Sequence, residues 1–264
     1  MRSILGLPMK VHAACGLVPC LWLAAAAGFL DEQRAYPRFR GAEKNCAQLV
    51  AALYSAKGLA ARQSEVFIRV FKEEALVELW ARAGSADTFA LVRTFAICAP
   101  SGDLGPKRRQ GDGQVPEGVY RVSGFNPTSA FHMSLRVSYP NASDAILGVK
   151  GHLGGDIFIH GNCVTIGCVP IQDEFIEQLY LACVYARDHG QKQIPVHLFP
   201  TRMDEAGMAM LRRASRDTAL QDFWSNLRQV YDAFERTHRV PSVTVDKAGR
   251  YVLDAAVDRQ RPGR

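Results

Sequence analysis

Apolar residues recur along the chain at two different intervals, and the switch from one to the other marks out the elements. From Ala42 to Lys57, Cys46, Leu49, Val50, Leu53 and Tyr54 fall on one helical face that stops at Gly58. This predicts a short amphipathic helix ahead of the main fold. Period-two alternation with β-branched and aromatic residues then takes over in Val66–Phe71, Ala75–Ala83 and Thr88–Ile97, separated by turns at Lys72–Glu74 and Gly84–Asp87. A meander follows from that pattern. Further strands are predicted at Val119–Ser123, His132–Val137, Asp156–His160 and Val196–Phe199. A helix is predicted over Asp173–Gly190, with Asp173 as its N-cap, Glu174 and Glu177 in the first turns, and Arg187 and His189 at the last. A stronger one carries Leu220, Phe223, Trp224, Leu227, Tyr231 and Phe234 on one face, and a hairpin over Ser242–Leu253 turns near Ala248 and Gly249.

One stretch fits neither period. Ala99–Gly118, APSGDLGPKRRQGDGQVPEG, is too irregular for an element and too long for a hairpin turn. Loops of that length inside a compact domain are usually functional. No internal repeat or low-complexity tract interrupts the pattern.

The chain has 264 residues and 48% hydrophobic content, enough for a packed core, so disordered and coiled-coil classes are excluded. Its formal charge of +6 falls to 6 − 2 = +4 without Arg2 and Lys10. That bias is too mild to imply nucleic acid, and no Lys/Arg run is interleaved with aromatics. The N-terminus reads as a secretory signal over residues 1–30: basic Arg2 and Lys10, an uncharged stretch from Ala13 to Leu30, and small residues that suit cleavage after Ala27. The competing reading is an uncleaved anchor, since that stretch approaches bilayer-spanning length. Either way the body is expected outside the cytoplasm, in the periplasm or cell envelope, and in contact with membrane only through this segment.

Cys15 and Cys20 belong to the exported segment, which leaves Cys46, Cys98, Cys163, Cys168 and Cys183. Five is odd, and an unpaired thiol in an oxidising compartment calls for a role. Cys183, between apolar neighbours, reads as a buried small hydrophobe. Pairing among Cys46, Cys98, Cys163 and Cys183 stays open at this level.

The stretch DIFIHGNCVTIGCVPIQD, Asp156 to Asp173, carries the candidate chemistry. A strand ends in His160, a Gly-containing turn follows, and Cys168 stands after Gly167 and before a helix. Backbone N–H groups and the helix N-terminus are expected to stabilise its thiolate, with His160 taking the proton. Gly167 is expected to let substrate approach, and the amides around Gly167 and Cys168 to form an oxyanion hole. A zinc site from His152, His160, Cys163 and Cys168 is the rival, disfavoured because no Cys-x-x-Cys knuckle is present. His132 and Tyr139 read first as strand packing, with a substrate wall as the minority view.

IHGNCVTIGC resembles the active-site signature of the L,D-transpeptidase (YkuD-type) catalytic domain family. GPKRRQGDGQVPEGVYRV is similar to that family's substrate-groove segment, and with SGDLGPK and YPNASD the likeness is to its YafK-like branch, from about Gln63 to the end. The resemblance implies a β-rich α+β fold, a β-sandwich or half-barrel core with surrounding helices and a C-terminal helix-hairpin extension. The implied division is an N-terminal helical segment at 31–62, the catalytic domain at 63–200 and the extension at 201–264. It also implies Cys168 as nucleophile, His160 as base and Gly161, Thr165 and Gly167 as shaping residues; Gly161, Thr165 and Ile166, beside Cys168, are expected to contact substrate. Pro116, Gly118 and Tyr120 fall in the substrate-groove segment. No cofactor or metal is implied. Partners would be peptidoglycan stem peptides, with a wall-linked lipoprotein as one form of substrate.

Two departures stand out: Ile166 where commoner members have His, and Val169 and Pro170 where they have Arg. Carboxylate recognition would then fall to Lys107, Arg108 or Arg109. The expected activity is hydrolysis of a diaminopimelate-linked amide through a thioacyl-enzyme. The alternatives are transpeptidation and a catalytically inactive wall-binding module.

Overall fold

A computed structural model describes residues 28–85 and 87–254. Most of the predicted leader, residues 1–27 with Cys15 and Cys20, lies outside the described residues, and its last residues, Phe29 and Leu30, begin the first helix. Among those described, no helix is long and apolar enough to cross a membrane.

Helices α1 (Phe29–Arg34) and α2 (Pro37–Ser55) precede the meander β1 (Glu65–Phe71), β2 (Leu76–Arg82) and β3 (Ala90–Ala96). The long loop then leads to β4 (Gly118–Asn126), β5 (Ser134–Val137), α3 (Ala142–Leu147), β6 (Phe158–His160) and β7 (Val169–Pro170). After α4 (Asp173–Asp188) and β8 (Pro195–Phe199) come α5 (Glu205–Ala214), α6 (Thr218–Thr237) and the hairpin β9 (Val243–Val245) and β10 (Tyr251–Leu253). Eight strands form one curled half-barrel sheet in the order β3-β2-β1-β8-β4-β5-β6-β7.

Position in the sheet explains the strand sequences. β1 lies between antiparallel β2 and parallel β8, and Val66 to Phe71 are fully buried, so apart from Arg69, whose guanidinium pairs with Glu235 at 2.7 Å, it is apolar on both faces. The sheet's two outer strands also meet. Ile97, just past β3, bridges Ile171, just past β7, and the Cys98 amide donates to the Pro170 carbonyl. A disulfide from Cys98 to Cys163 fastens the same junction.

α4 is buried almost throughout from Ile176 to Ala186 and shares one core with α2 and the sheet. α2 contributes Phe39, Ala42, Cys46, Val50 and Tyr54 to that core. A second core forms where Phe71 and Phe199 meet Met208, Leu211, Phe223, Trp224, Leu227 and Tyr231 of the extension.

Some element ends differ from the sequence reading for backbone reasons. β5 starts at Ser134 because His132 has φ +65°, and β6 starts at Phe158 because Asp156 has φ +57°. Asp173 is the first residue of α4 and Gln172 its N-cap; the Asp173 carboxylate instead accepts from the Asn162 amide at 2.7 Å. Helices α1, α3 and α5 were not predicted. Gly207 hid α5 by diluting its helical pattern, and there a Cβ would lie 1.8 Å from the Arg202 carbonyl oxygen.

Candidate active site

β6 and β7 pair in parallel, Ile159 with Val169 and His160 with Pro170. Cys168 precedes β7 by one residue, so strand alternation puts its side chain on the same face of the sheet as that of His160. Cys168 is half-buried, whereas Cys46 and Cys183 are buried and Cys98 and Cys163 are joined. Among the described residues it is therefore the one thiol open to a reagent. Cys163 in its disulfide is no metal ligand, which breaks up the four-residue zinc set.

His160 is buried and its Nδ1 lies 2.6 Å from the Gly161 carbonyl oxygen. That carbonyl can only accept, so Nδ1 carries the proton and Nε2 keeps its lone pair. The Phe131 ring lies 4.8 Å from the imidazole. Burial holds the imidazole's pKa below its ordinary value, while the Gly161 contact opposes this in part.

The thiol donates to the Asp156 carbonyl at 3.5 Å. Burial pushes its pKa up; the Phe158 amide lowers it, the Asp156 carboxylate raises it further, and Lys107 lowers it. The expectation of a thiolate stabilised by backbone and helix end is thus corrected: burial outweighs the donors. Thiol and imidazole both rest neutral near pH 7.

Thr165 organises the turn. Its Oγ1 accepts from the amides of Gly167 (3.2 Å) and Cys168 (2.8 Å) and donates to the Cys168 carbonyl (2.9 Å). The two amides expected to form an oxyanion hole are therefore engaged by this hydroxyl. Gly167, at φ +130°, would place a Cβ 3.1 Å from the Gln114 carbonyl oxygen, so its missing side chain admits the long loop's backbone. Gly161 is equally enclosed, by Asp173, His132 and Ile176. Ile166, at 90% exposure, projects into solvent. A cleft of about 710 Å³ opens on Cys168, lined also by Lys72, Ser101, Leu104, Ala214 and Leu220.

Residues 65–196 match the L,D-transpeptidase catalytic domain (YkuD), and the Escherichia coli (strain K12) protein named "Putative L,D-transpeptidase YafK" is 35% identical over 199 residues, covering 75% of this chain and 77% of that one. The chain belongs to the YkuD L,D-transpeptidase family. Its members act on peptidoglycan. Solved structures similar to this one include the helical cell shape determining protein Pgp2 of Campylobacter jejuni (16% identity, TM-score 0.43, 70% of this chain and 73% of that one). Another is L,D-transpeptidase 1 of Mycobacterium tuberculosis (12%, TM-score 0.30, 52% and 62%).

In this YkuD domain the long loop is held from within. Lys107 is buried, its Nζ 2.6 Å from Asp112 Oδ1 and 2.8 Å from the Arg109 carbonyl. Arg108 reaches Asp144 at 3.3 Å and covers the Phe223 ring. Arg109 is exposed and, among the described residues, its guanidinium has no ion-pair partner. Pro116, Gly118 and Tyr120 are buried. A Cβ on Gly118 would meet the Tyr251 hydroxyl at 2.2 Å, and the Tyr120 hydroxyl donates to Asp144 at 2.8 Å, so both serve packing beneath the loop. His132 pairs with Glu177 at 2.9 Å, and Tyr139 is buried with its hydroxyl 3.2 Å from the Leu153 carbonyl.

Sequence reasoning missed Phe131 on the imidazole, the Asp156 carbonyl on the thiol and Gln114 against Gly167. Phe131 sits one residue before the predicted His132–Val137 strand and Asp156 opens the next, and nothing in the period of a strand tells which neighbour crosses to the site.

Proposed function

We propose that the protein hydrolyses an amide at a diaminopimelate-like centre of a murein stem peptide, with Cys168 as nucleophile and His160 as general base and acid. The observation that carries this reading is the Nδ1 contact to the Gly161 carbonyl, which leaves Nε2 as a base on the strand beside the one accessible free thiol. Nε2 takes the thiol proton as sulfur attacks the carbonyl carbon. The imidazolium returns that proton to the departing amine, leaving a thioacyl-enzyme. Water, deprotonated by Nε2, then breaks the thioester and regenerates Cys168. Nucleophile and base are both side chains, so the cycle calls for no cofactor.

Water is favoured as the acceptor because the anchors for a second stem are spent. Val169 and Pro170 are buried and uncharged, and Lys107 and Arg108 are paired within the protein. Arg109 remains to meet a carboxylate of the stem being cleaved. A polypeptide joined to the wall through a lysine amide, such as a wall-bound lipoprotein, is the substrate class this reading favours. The leader-like N-terminus supports a place in the cell envelope.

Purified protein is to be incubated with sacculi carrying lysine-linked polypeptide, and the muropeptides analysed by mass spectrometry. Release of the polypeptide with a free stem carboxylate is expected, and neither Cys168→Ala nor His160→Ala should release it. Cross-linked or amine-exchanged products without net cleavage would restore transpeptidation. Activity retained in Cys168→Ala would remove the mechanism altogether.

A further inference from the structure

The C-terminal extension lies beyond the 65–196 family match, yet Ala214, Ser215, Leu220 and Trp224 line the same cleft as Cys168. A buried carboxylate fastens the two parts together. Glu117 Oε1 accepts from Lys72 Nζ at 2.9 Å and the Gly105 amide at 2.7 Å, while Oε2 accepts from Trp224 Nε1 at 2.8 Å. Lys72 Nζ also reaches the carbonyls of Asp103, Gly105 and Val115. The long loop and α6 are thereby held as one wall, and the extension is a built part of the cleft.

The lining identifies the kind of ligand. Within the described protein the amides of Ala99, Ser101 and Gly102 make no hydrogen bond, nor do the carbonyls from Ala99 to Gly102. These free main-chain groups run along the cleft beside small or apolar Ala75, Ile97, Val115, Ala214 and Leu220. Unpaired backbone next to an apolar strip complements an extended peptide, which supplies main-chain partners in register and side chains to the strip. The lining's one aromatic ring, Trp224, is buried and its N–H is spent on Glu117, so it offers no exposed face for stacking.

We infer that this cleft is a subsite for an extended polypeptide, the chain whose lysine is joined to the murein stem, and that the C-terminal extension acts as its specificity wall. The inference rests on the proposed role of Cys168 as nucleophile.

Its test does not require turnover. A short peptide bearing a chloroacetyl group on a lysine Nζ is compared with chloroacetamide for alkylation of Cys168; in both, the thiolate displaces chloride, forming one S–C bond and releasing one proton to solvent. In the wild type the peptide reagent is expected to react about tenfold faster or more. Ala214→Trp, an exposed position that fills the cleft, should bring the ratio close to unity. Ser225→Trp, exposed on α6 outside the lining, should keep it. Equal rates in the wild type, an unchanged ratio in Ala214→Trp, or loss of the ratio in Ser225→Trp would overturn the subsite. If the ratio behaves as expected but sacculi are not hydrolysed, the subsite stands and the hydrolase reading falls. Labelling at a cysteine other than Cys168 would sink both.

Discussion

Thr165 illustrates how much one hydroxyl can organise. It ties the amides of Gly167 and Cys168 and the Cys168 carbonyl to a single oxygen, so the backbone of Cys168, the proposed nucleophile, is fixed before any substrate arrives. Thr165→Val removes that oxygen at nearly constant shape. We expect kcat to fall about 10- to 100-fold with KM little changed, because misplacement of a reacting group is costly. Thr165→Ser should restore most of the rate; a valine variant with wild-type kcat would show the turn holds itself. Cys168 offers a second test at the same scale. Burial raises its pKa, so the reactive thiolate should be scarce at neutral pH and grow as pH rises. The pH profile of iodoacetamide labelling should therefore have its midpoint above the roughly 8.5 of a free cysteine. A midpoint below that value would reveal a pre-formed thiolate.

At the level of elements, the six residues of α3 brace the long loop. Asn141 and Asp144 form a reciprocal capping box, and the Asp144 carboxylate also receives Arg108 from the long loop and the Tyr120 hydroxyl from β4. Burial nevertheless raises the Asp144 pKa to about 6, above that of an unfolded aspartate. The folded state then binds the proton more tightly than the unfolded one. Its contribution is favourable at low pH, declines between about pH 4 and pH 6, and is flat above, a swing of roughly 3 kcal/mol. Asp144→Asn should abolish that slope in urea unfolding measured across this range, and parallel pH profiles for the two proteins would contradict the assignment.

The elements also show what the chain's pattern reveals. α2, α4 and α6 were legible because each keeps one apolar face over many residues, and α4 is apolar nearly all round for the reason that the core surrounds it. β7, at two residues, is too short to have a period. Cys168 and His160 could be singled out because their motif spans nine consecutive positions. The loop's cations could not be sorted from sequence, since what separates Lys107 and Arg108 from Arg109 is a half-buried Asp112 and a buried Asp144 reached through space.

Across the whole molecule, the Cys98–Cys163 disulfide joins the exit of β3 to the turn that leads to Cys168. It closes a loop with a sequence separation of 65, for which chain-entropy reasoning gives about 4 kcal/mol. In a Cys168→Ala background, which removes the competing thiol, reduction with a dithiol should lower stability by about 2–4 kcal/mol in urea titrations. An unmoved midpoint would mean that the Ile97–Ile171 bridge and the core hold the junction unaided.

The place of β8 in the sheet governs when the fold can come into being. β1 finds its parallel partner, and β4 its antiparallel one, in a strand that begins only at Pro195. As the chain emerges from the ribosome, the first meander can form early, but β1 is left with one unpaired edge until nearly three-quarters of the sequence has been made. Such long-range pairing folds slowly and exposes apolar strands meanwhile. Newly made chains are thus kept from acquiring tertiary structure until late in synthesis, and a chain that stops before Pro195 has two halves of a sheet with no strand to join them.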